Sequence, residues 1–505
     1  MQNMNNSSIK NITISTATKQ FLTQPHKLLI NGVWVDGVEG KTIETRDPAS
    51  NEVIARVAIG GSQDIDNAVI AARKAFEGPW SKLTNFERAK LLSRIARLIE
   101  SNTDLLTEIE VLDNGMPTNI ARLTIQNIAE MFDYYGAAAQ RIEGTTTTPP
   151  RHITDHAEAL TYTLREPIGV AGLIVPWNVP ASTAVLKLAP ALAAGCTVVM
   201  KPSEETPLSA LLLGQLCLEA GIPAGVVNIV NGYGSEAGSA ISEHADVDKV
   251  SFTGSTQTGR KIICAATGNL KKVALELGGK SPVVVMPDAD LDLATVGIAM
   301  ATFFLQGQNC MAGTRIFIHD AIHDELVQRV KLFTEQLVIG HGINPATMIG
   351  PLISEKHCEK VLKYIEIGVN EGATMLTGGK KLEGDGYFVQ PTIFTDCTAQ
   401  MRIVKEEIFG PVMTVQRFSS LDLDEIARMA NDTIYGLSGS VWTQNLSIAH
   451  SLVARIRAGH VSINCHGAVG TNIPFGGYAQ SGWGREFGQE GLDAYLETKA
   501  VTAQL

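Results

Sequence analysis

Residues 169–201 read GVAGLIVPWNVPASTAVLKLAPALAAGCTVVMK, and this stretch decides the fold. Two short apolar runs, GVAGLIV and TVVMK, flank the helix-like segment PASTAVLKLAPALAAG. An apolar strand, a helix and a second apolar strand form the crossover unit of a parallel sheet covered on both faces. The rhythm then repeats. PLSALLLGQLCLEAG and SEAGSAISEHA read as further helices, and VVNIV, KVSFTG and KVALELGG as further strands. Alternation at this spacing implies the doubly wound α/β class, with a Rossmann-like dinucleotide-binding domain. A second α/β run begins at SPVVVMPDADLDLA and passes through RIFIH, HDELVQRVKLFTEQL, GPVMTVQRF, GSVWTQ and GHVSIN.

Upstream of this core, Thr84 and Glu87 have capping-box spacing, and Leu91, Ile95 and Leu98 recur on one helical face. Helical segments extend to about Gln140. Polar GTTTTPPRHITDHAEA interrupts them before the Thr-rich strand ALTYTLREP. The first strand pair is expected in HKLLINGVWVDG, preceded by a loose polar arm without the apolar core of a signal peptide. No apolar run reaches the roughly 18 residues of a membrane span. The nearest, VGIAMATFFLQGQNC, is bounded by Asp292 and Gln306.

A length of 505 residues implies about three domains. A net charge of −11 without a long basic run argues against nucleic acid or an anionic membrane as partner. Hydrophobic content of 45% supplies large cores. Seven cysteines (196, 217, 264, 310, 358, 397 and 465) are scattered and form no CxxC pair. Free thiols in a reducing cytoplasm are expected, with neither disulfides nor a metal site.

Five local patterns carry chemistry. In KVSFTGSTQTGR, Gly254 opens a strand-to-helix turn suited to the phosphates of a dinucleotide, although an ordinary turn reads the same way. Lys201 and Glu204 in MKPSEETP lie at a strand end, where they could hold ribose hydroxyls or form a solvated pair. Cys310 in FFLQGQNCMAG is a candidate nucleophile or an inert buried thiol. Glu276 in VALELGGKSP is a candidate general base whose pKa burial would raise, or a structural carboxylate. Asn178 in LIVPWNVP could donate its amide to a developing oxyanion, or simply shape a turn.

Together these patterns resemble the aldehyde dehydrogenase superfamily along nearly the whole chain. The motifs are PWN (176–178), KPSE (201–204), FTGST (252–256), ELGGKSP (276–282), GQNC (307–310), EEIFGPV (406–412) and PFGGYAQSG (474–482). The resemblance implies NAD-dependent oxidation of an aldehyde. Cys310 would attack the aldehyde carbon, and the Asn178 amide and the Cys310 N–H would hold the oxyanion. Glu276 would activate water against the resulting thioester, with Lys187 and Glu486 relaying its proton. By the same resemblance, Ile174, Val175, Pro176, Trp177, Lys201, Glu204, Gly234, Gly254, Ser255, Leu277, Glu407 and Phe409 form the cofactor site. Glu204 would repel a 2′-phosphate, which favours NAD over NADP. The implied organisation is an N-terminal arm (1–24), an NAD-binding domain (25–144 and 168–278) and a catalytic domain (279–480). An oligomerisation element (145–167 and 488–505) would give a homodimer or homotetramer.

The sequence departs from the family pattern at Ala479, where most relatives carry Lys, and at Val179, where many carry Phe. Val179 and Thr183 would widen the substrate tunnel. Looser likeness in SVWTQNLS, PLISEKHCEKV and INCHGAVGTNIPFGG resembles phenylacetaldehyde dehydrogenases, so an aromatic aldehyde is expected. Other signals fall away. DADLD has Leu293 where a calcium loop needs Gly. His152 and His156 have no third ligand nearby, and Phe132, Tyr134 and Tyr135 read as core or subunit contact.

Overall fold

The structure, a computed structural model, describes residues 13–150, 152, 154, 155 and 157–505. His156 of the rejected histidine pair lies outside the described residues. Five parallel strands form the centre of the first sheet, in the spatial order Lys272–Glu276, Lys249–Thr253, Val170–Ile174, Thr197–Lys201 and Val227–Ile229. Val170–Ile174 precedes both of its neighbours in the chain, so successive crossovers leave it in opposite directions. Such a switch point opens a crevice at the carboxyl ends of the strands. PWN leaves one side of that crevice and Gly254–Ser255 the other.

Local chemistry explains these elements. Val170–Ile174 and Thr197–Lys201 are buried along their whole length, as apolar strands covered on both faces must be. Between them, Pro180 opens the helix Pro180–Ala194 and Gly195 closes it at φ +98, a left-handed position that suits glycine. Thr84 and Glu87 form the expected capping box at the start of Asn85–Ser101. Asp290, from the DADLD segment, caps the helix Leu291–Phe303 through the N–H groups of Asp292 and Leu293. Phe132 and Tyr135 are fully buried, and the ring of Tyr134 meets that of Tyr135 edge-on at 5.1 Å.

The second sheet runs Thr374–Thr377, Thr392–Thr395, Val412–Phe418, Gly313–His319, Ser281–Val285, Ser438–Trp442 and His460–Ile463. All its pairings are parallel except the first. A third sheet pairs the Thr-rich strand Ala159–Pro167 with the tail strand Leu496–Gln504 and with Thr146–Thr147.

The loose-arm reading of the N-terminus is corrected in part. Residues Thr16–Thr23 form a helix capped by Ser15, with Phe21 buried against the core. Glu108 anchors it, accepting from the Ser15 N–H at 3.0 Å and the Ser15 hydroxyl at 2.8 Å. Eight residues are too few to show an amphipathic period, and tertiary contacts supply the stability such a short helix lacks. The hairpin Thr42–Arg46 with Val53–Ala58 and the antiparallel strand Thr374–Thr377 were also absent from the sequence reading.

Packing across the second sheet is close at Gly297, where a Cβ would lie 2.0 Å from the Trp442 ring. Trp442 is itself buried, so it has little room to yield. Gly297→Ala gains about 1 kcal/mol of helix propensity but overpacks the core at a cost of about 1–3 kcal/mol. A lowered thermal midpoint relative to wild type is therefore expected, and an unchanged or raised midpoint would contradict this packing.

Candidate active site

Three loops converge at the mouth of the crevice. The first is PWN. Its Val175 N–H donates to the Lys201 carbonyl at 3.1 Å. The buried Asn114 amide donates to the carbonyls of Trp177 at 2.7 Å and Asn178 at 3.3 Å. Asn114 was missed in the sequence, where it follows Asp113 with no motif to mark it. The Asn178 side-chain amide donates one N–H to the Gln308 carbonyl at 3.0 Å, and its second N–H remains for a ligand.

The second loop carries Cys310. Leu305, Gln306 and Gly307 take left-handed values of φ 52, 58 and 69 in succession, an arrangement that costs energy for the first two and must be held by its surroundings. A Cβ on Gly307 would lie 2.2 Å from the Gly410 carbonyl oxygen, so this loop abuts the FG of EEIFGPV. The Gln308 side-chain oxygen then accepts from the Ile353 N–H at 2.9 Å. Cys310 and Met311 form the centre of a tight turn, closed by the Ala312 N–H donating to the Asn309 carbonyl at 3.0 Å. Burial, reinforced by the charges of Glu407 and Glu276, pushes the Cys310 thiol up to about 12. At rest this sulfur therefore holds its proton.

The third loop is ELGG. Glu276 ends the strand Lys272–Glu276 and is buried. Its Oε2 has no partner among the described residues, and its Oε1 lies 2.8 Å from where a Cβ on Gly476 would be. Burial and then the neighbouring charge of Glu486 hold its pKa well above the ordinary carboxylate range, while Lys187 and Arg485 act against this. Behind it, the fully buried Lys187 ammonium is ion-paired with Glu486 and donates to the Ser251 hydroxyl at 3.1 Å. That hydroxyl in turn donates to Glu486 at 3.2 Å. The helix Pro180–Ala194 supplies Lys187, and a backbone bridge between Phe475 and Glu486 fixes the main chain that carries the Glu486 side chain.

The residues implied for a cofactor line the same crevice. Lys201, at the end of its strand, donates to the carbonyls of Pro202 at 2.7 Å and Gly232 at 2.8 Å and to Glu204 at 3.2 Å. All three of its N–H donors are thus engaged, and a ribose hydroxyl would share or exchange one of them. Ser255 caps the helix Thr256–Ala266, accepting from the Thr258 N–H at 3.2 Å. Space is open around Gly234, and Leu277 packs against Gly259. Glu407 accepts from the Gly279 N–H at 2.9 Å. Phe409 sits at φ 61 with its ring edge-on to Trp177 at 5.3 Å. Ile174 ends its strand and is buried in the core of the first sheet, and Pro176 directly precedes Trp177. His357 was missed, yet its Nε2 donates to the Phe409 carbonyl at 2.7 Å and its ring meets Trp177 at 5.2 Å. A dinucleotide fits this set. Ribose-binding polar groups lie at one end, a glycine turn onto a helix N-terminus in the middle, and an aromatic wall with a carboxylate at the other end.

Fold and site together define an oxidoreductase of the dinucleotide-binding α/β class. Residues 34–501 match the aldehyde dehydrogenase family. The chain is 47% identical over 487 residues to the mitochondrial benzaldehyde dehydrogenase of Antirrhinum majus, covering 95% of this chain and 89% of that protein. It is 45% identical over 479 residues to the betaine aldehyde dehydrogenase of Bacillus subtilis, covering 94% and 96%. The structure of an aldehyde dehydrogenase from Bacillus cereus in complex with NAD+ superposes with a TM-score of 0.95 at 44% identity, covering 98% of this chain and 99% of that one. The chain belongs to the aldehyde dehydrogenase family.

The sign of the coupling at Glu276 is testable. Glu486 raises the Glu276 pKa, so neutralising it in Glu486→Gln moves the rising limb of the kcat–pH profile to lower pH. A limb that stays in place in the residual activity would show that the two carboxylates are not coupled.

Proposed function

We propose that this enzyme oxidises an aldehyde to the carboxylic acid with NAD, through a covalent intermediate on Cys310. The observation that carries the reading is the convergence of Cys310, Asn178 and Glu276 from three separate loops onto one crevice. The Cys310 thiol is protonated at rest, so attack on the aldehyde carbon requires transfer of its proton to a base. Glu276 is the carboxylate positioned for this, because burial and the charge of Glu486 raise its affinity for a proton. The new C–S bond turns the planar carbonyl carbon into a tetrahedral one bearing an oxyanion. Asn178 offers its free N–H to that oxygen, and the Cys310 backbone N–H completes the pair. NAD, when bound, supplies the hydride acceptor that makes the oxidation possible. Glu276 passes the thiol proton on through the Glu486 carboxylate that the Lys187 ammonium holds behind it, and is then free to deprotonate water for attack on the Cys310 thioester. Glu407 and Phe409 hold the nicotinamide end, while Lys201 and Glu204 hold the adenosine ribose.

The substrate is an aromatic aldehyde such as phenylacetaldehyde. Val179 is small and packs among Ile120, Phe304 and Leu305 in an apolar cluster. Thr183 donates its hydroxyl to the Val179 carbonyl at 2.9 Å, which leaves its methyl rather than a polar group for the tunnel. Among relatives, the benzaldehyde name agrees with this reading and the betaine aldehyde name does not. The protein acts as a homo-oligomer in a reducing, cytoplasmic setting. Support comes from the exposed Leu160 and Leu164 on the strand Ala159–Pro167 and from seven free cysteines.

Absorbance of NADH separates the steps. Cys310→Ala abolishes turnover while NAD still binds, and Asn178→Ala lowers kcat by about 100- to 1,000-fold. Glu276→Gln slows both deprotonation of the Cys310 thiol and hydrolysis of the thioester, so any NADH formed is limited to about one equivalent per active site. Normal turnover in Cys310→Ala would refute the covalent route. The substrate reading requires kcat/KM for phenylacetaldehyde to exceed that for acetaldehyde and for betaine aldehyde, with NAD preferred over NADP.

A further inference from the structure

Among the groups that the proposed chemistry leaves unused, one histidine touches the nucleophile's own turn. His466 lies in the loop after the strand His460–Ile463 and reaches the segment that follows Cys310. Its Nε2 is 2.8 Å from the Met311 carbonyl oxygen, and its Nδ1 is 2.9 Å from the Ser440 hydroxyl. A carbonyl can only accept, so the proton sits on Nε2 and Nδ1 accepts from Ser440. The Ser440 oxygen in turn accepts from the Trp442 indole N–H at 3.1 Å. A directed chain therefore runs from Trp442 through Ser440 and His466 to the Met311 carbonyl.

Both ends of this chain are anchored. Ser440 and Trp442 belong to a buried inner strand of the second sheet, paired on both sides. Asn464, at φ 53, locks the start of the His466 loop by accepting from the Thr443 N–H at 3.0 Å and donating to the Thr443 carbonyl at 2.9 Å. The imidazole also packs on Gly313, where a Cβ would lie 3.0 Å from the ring carbon Cε1. Burial pushes the ring's pKa down to about 4 against the opposing bond to Met311, so the imidazole is neutral and the direction of the chain is set.

We propose that His466 is a positioning residue for the Cys310 turn, holding the Met311 carbonyl so that the Cys310 thiol and backbone N–H face the Asn178 amide. The geometry accounts for the choice. Cys310 and Met311 occupy the two central positions of the turn. Within the turn, the Met311 N–H is held by Asn309 Oδ1 at 3.1 Å and the Ala312 N–H by the Asn309 carbonyl at 3.0 Å. These bonds fix the turn internally and the strand Gly313–His319 anchors the chain from Gly313 onward, but neither gives the Met311 carbonyl a partner outside the turn. The His466 bond supplies that external reference, from a segment more than a hundred residues away in sequence. Releasing it lets the 311–312 peptide tilt and carries the preceding Cys310 N–H out of line with an oxyanion.

The inference rests on Cys310 as nucleophile, and the test separates the two. His466→Phe keeps an aromatic ring on Gly313 and loses both polar contacts. His466→Gln restores an amide donor, and Ser440→Ala removes only the hydroxyl that sets the tautomer. A displaced reacting group costs about 10- to 100-fold in rate, so His466→Phe lowers kcat by that order with KM for NAD within about twofold of wild type. His466→Gln recovers part of the loss, and Ser440→Ala shows a smaller loss in the same direction. Wild-type kcat in His466→Phe overturns the proposal, as does an equal fall in kcat and in NAD affinity. Should His466→Phe fail to fold, wild-type kcat in Ser440→Ala overturns it instead. Normal turnover in Cys310→Ala would defeat the functional reading itself, whereas an inactive Cys310→Ala beside a normal His466→Phe defeats only the role of His466.

Discussion

Everything at this site depends on how closely two sheets approach at Gly278 and Gly279. A Cβ on Gly278 would lie 2.3 Å from Glu407 Oε2, and one on Gly279 would lie 2.3 Å from the Cys310 carbonyl oxygen. No real side chain tolerates such distances, so the two glycines set the separation between the strand ending at Glu276 and the strand Ser281–Val285. The chain passes from the first sheet to the second within these few residues. One short segment therefore positions Glu276, the Cys310 turn and the Glu407 carboxylate against one another.

This closeness has an electrostatic consequence. Excluding water around Glu276, Lys187 and Glu486 leaves charged groups to be stabilised by each other. The Lys187–Glu486 pair and the Ser251 hydroxyl form a satisfied cluster, whereas Glu276 keeps a buried oxygen without a partner among the described residues. A carboxylate half-committed in this way is held with a raised proton affinity, which suits a group that must exchange protons during turnover. The same exclusion of water keeps Cys310 as a thiol at rest.

Backbone strain marks the places where this assembly is maintained. Leu305, Gln306 and Phe409 are left-handed without being glycine, and each lies in a loop that abuts the other. Bonds from distant residues hold them, including His357 on the Phe409 carbonyl and Gln308 against Ile353. Neither His357 nor Asn114 stood out in the sequence, because hydrogen bonds to backbone carbonyls leave no spacing pattern.

The sequence by itself determined the parallel strands and their crossovers, because strands buried on both faces are written as apolar runs and helices between them as capped periodic segments. It determined the capping box at Thr84 for the same local reason. By resemblance it also marked Cys310, Glu276, Asn178 and the glycine-rich turns. Only the tertiary structure decided what those residues face. The helix Thr16–Thr23 exists because Glu108 and the core receive it, and the strand Thr374–Thr377 because a neighbouring strand offers an open edge. The raised proton affinities of Glu276 and Cys310, and the hold of His466 on the Met311 carbonyl, arise from neighbours far away in sequence. Local composition encodes backbone preference, but the electrostatics and orientation of a site come from contacts that only the folded chain makes.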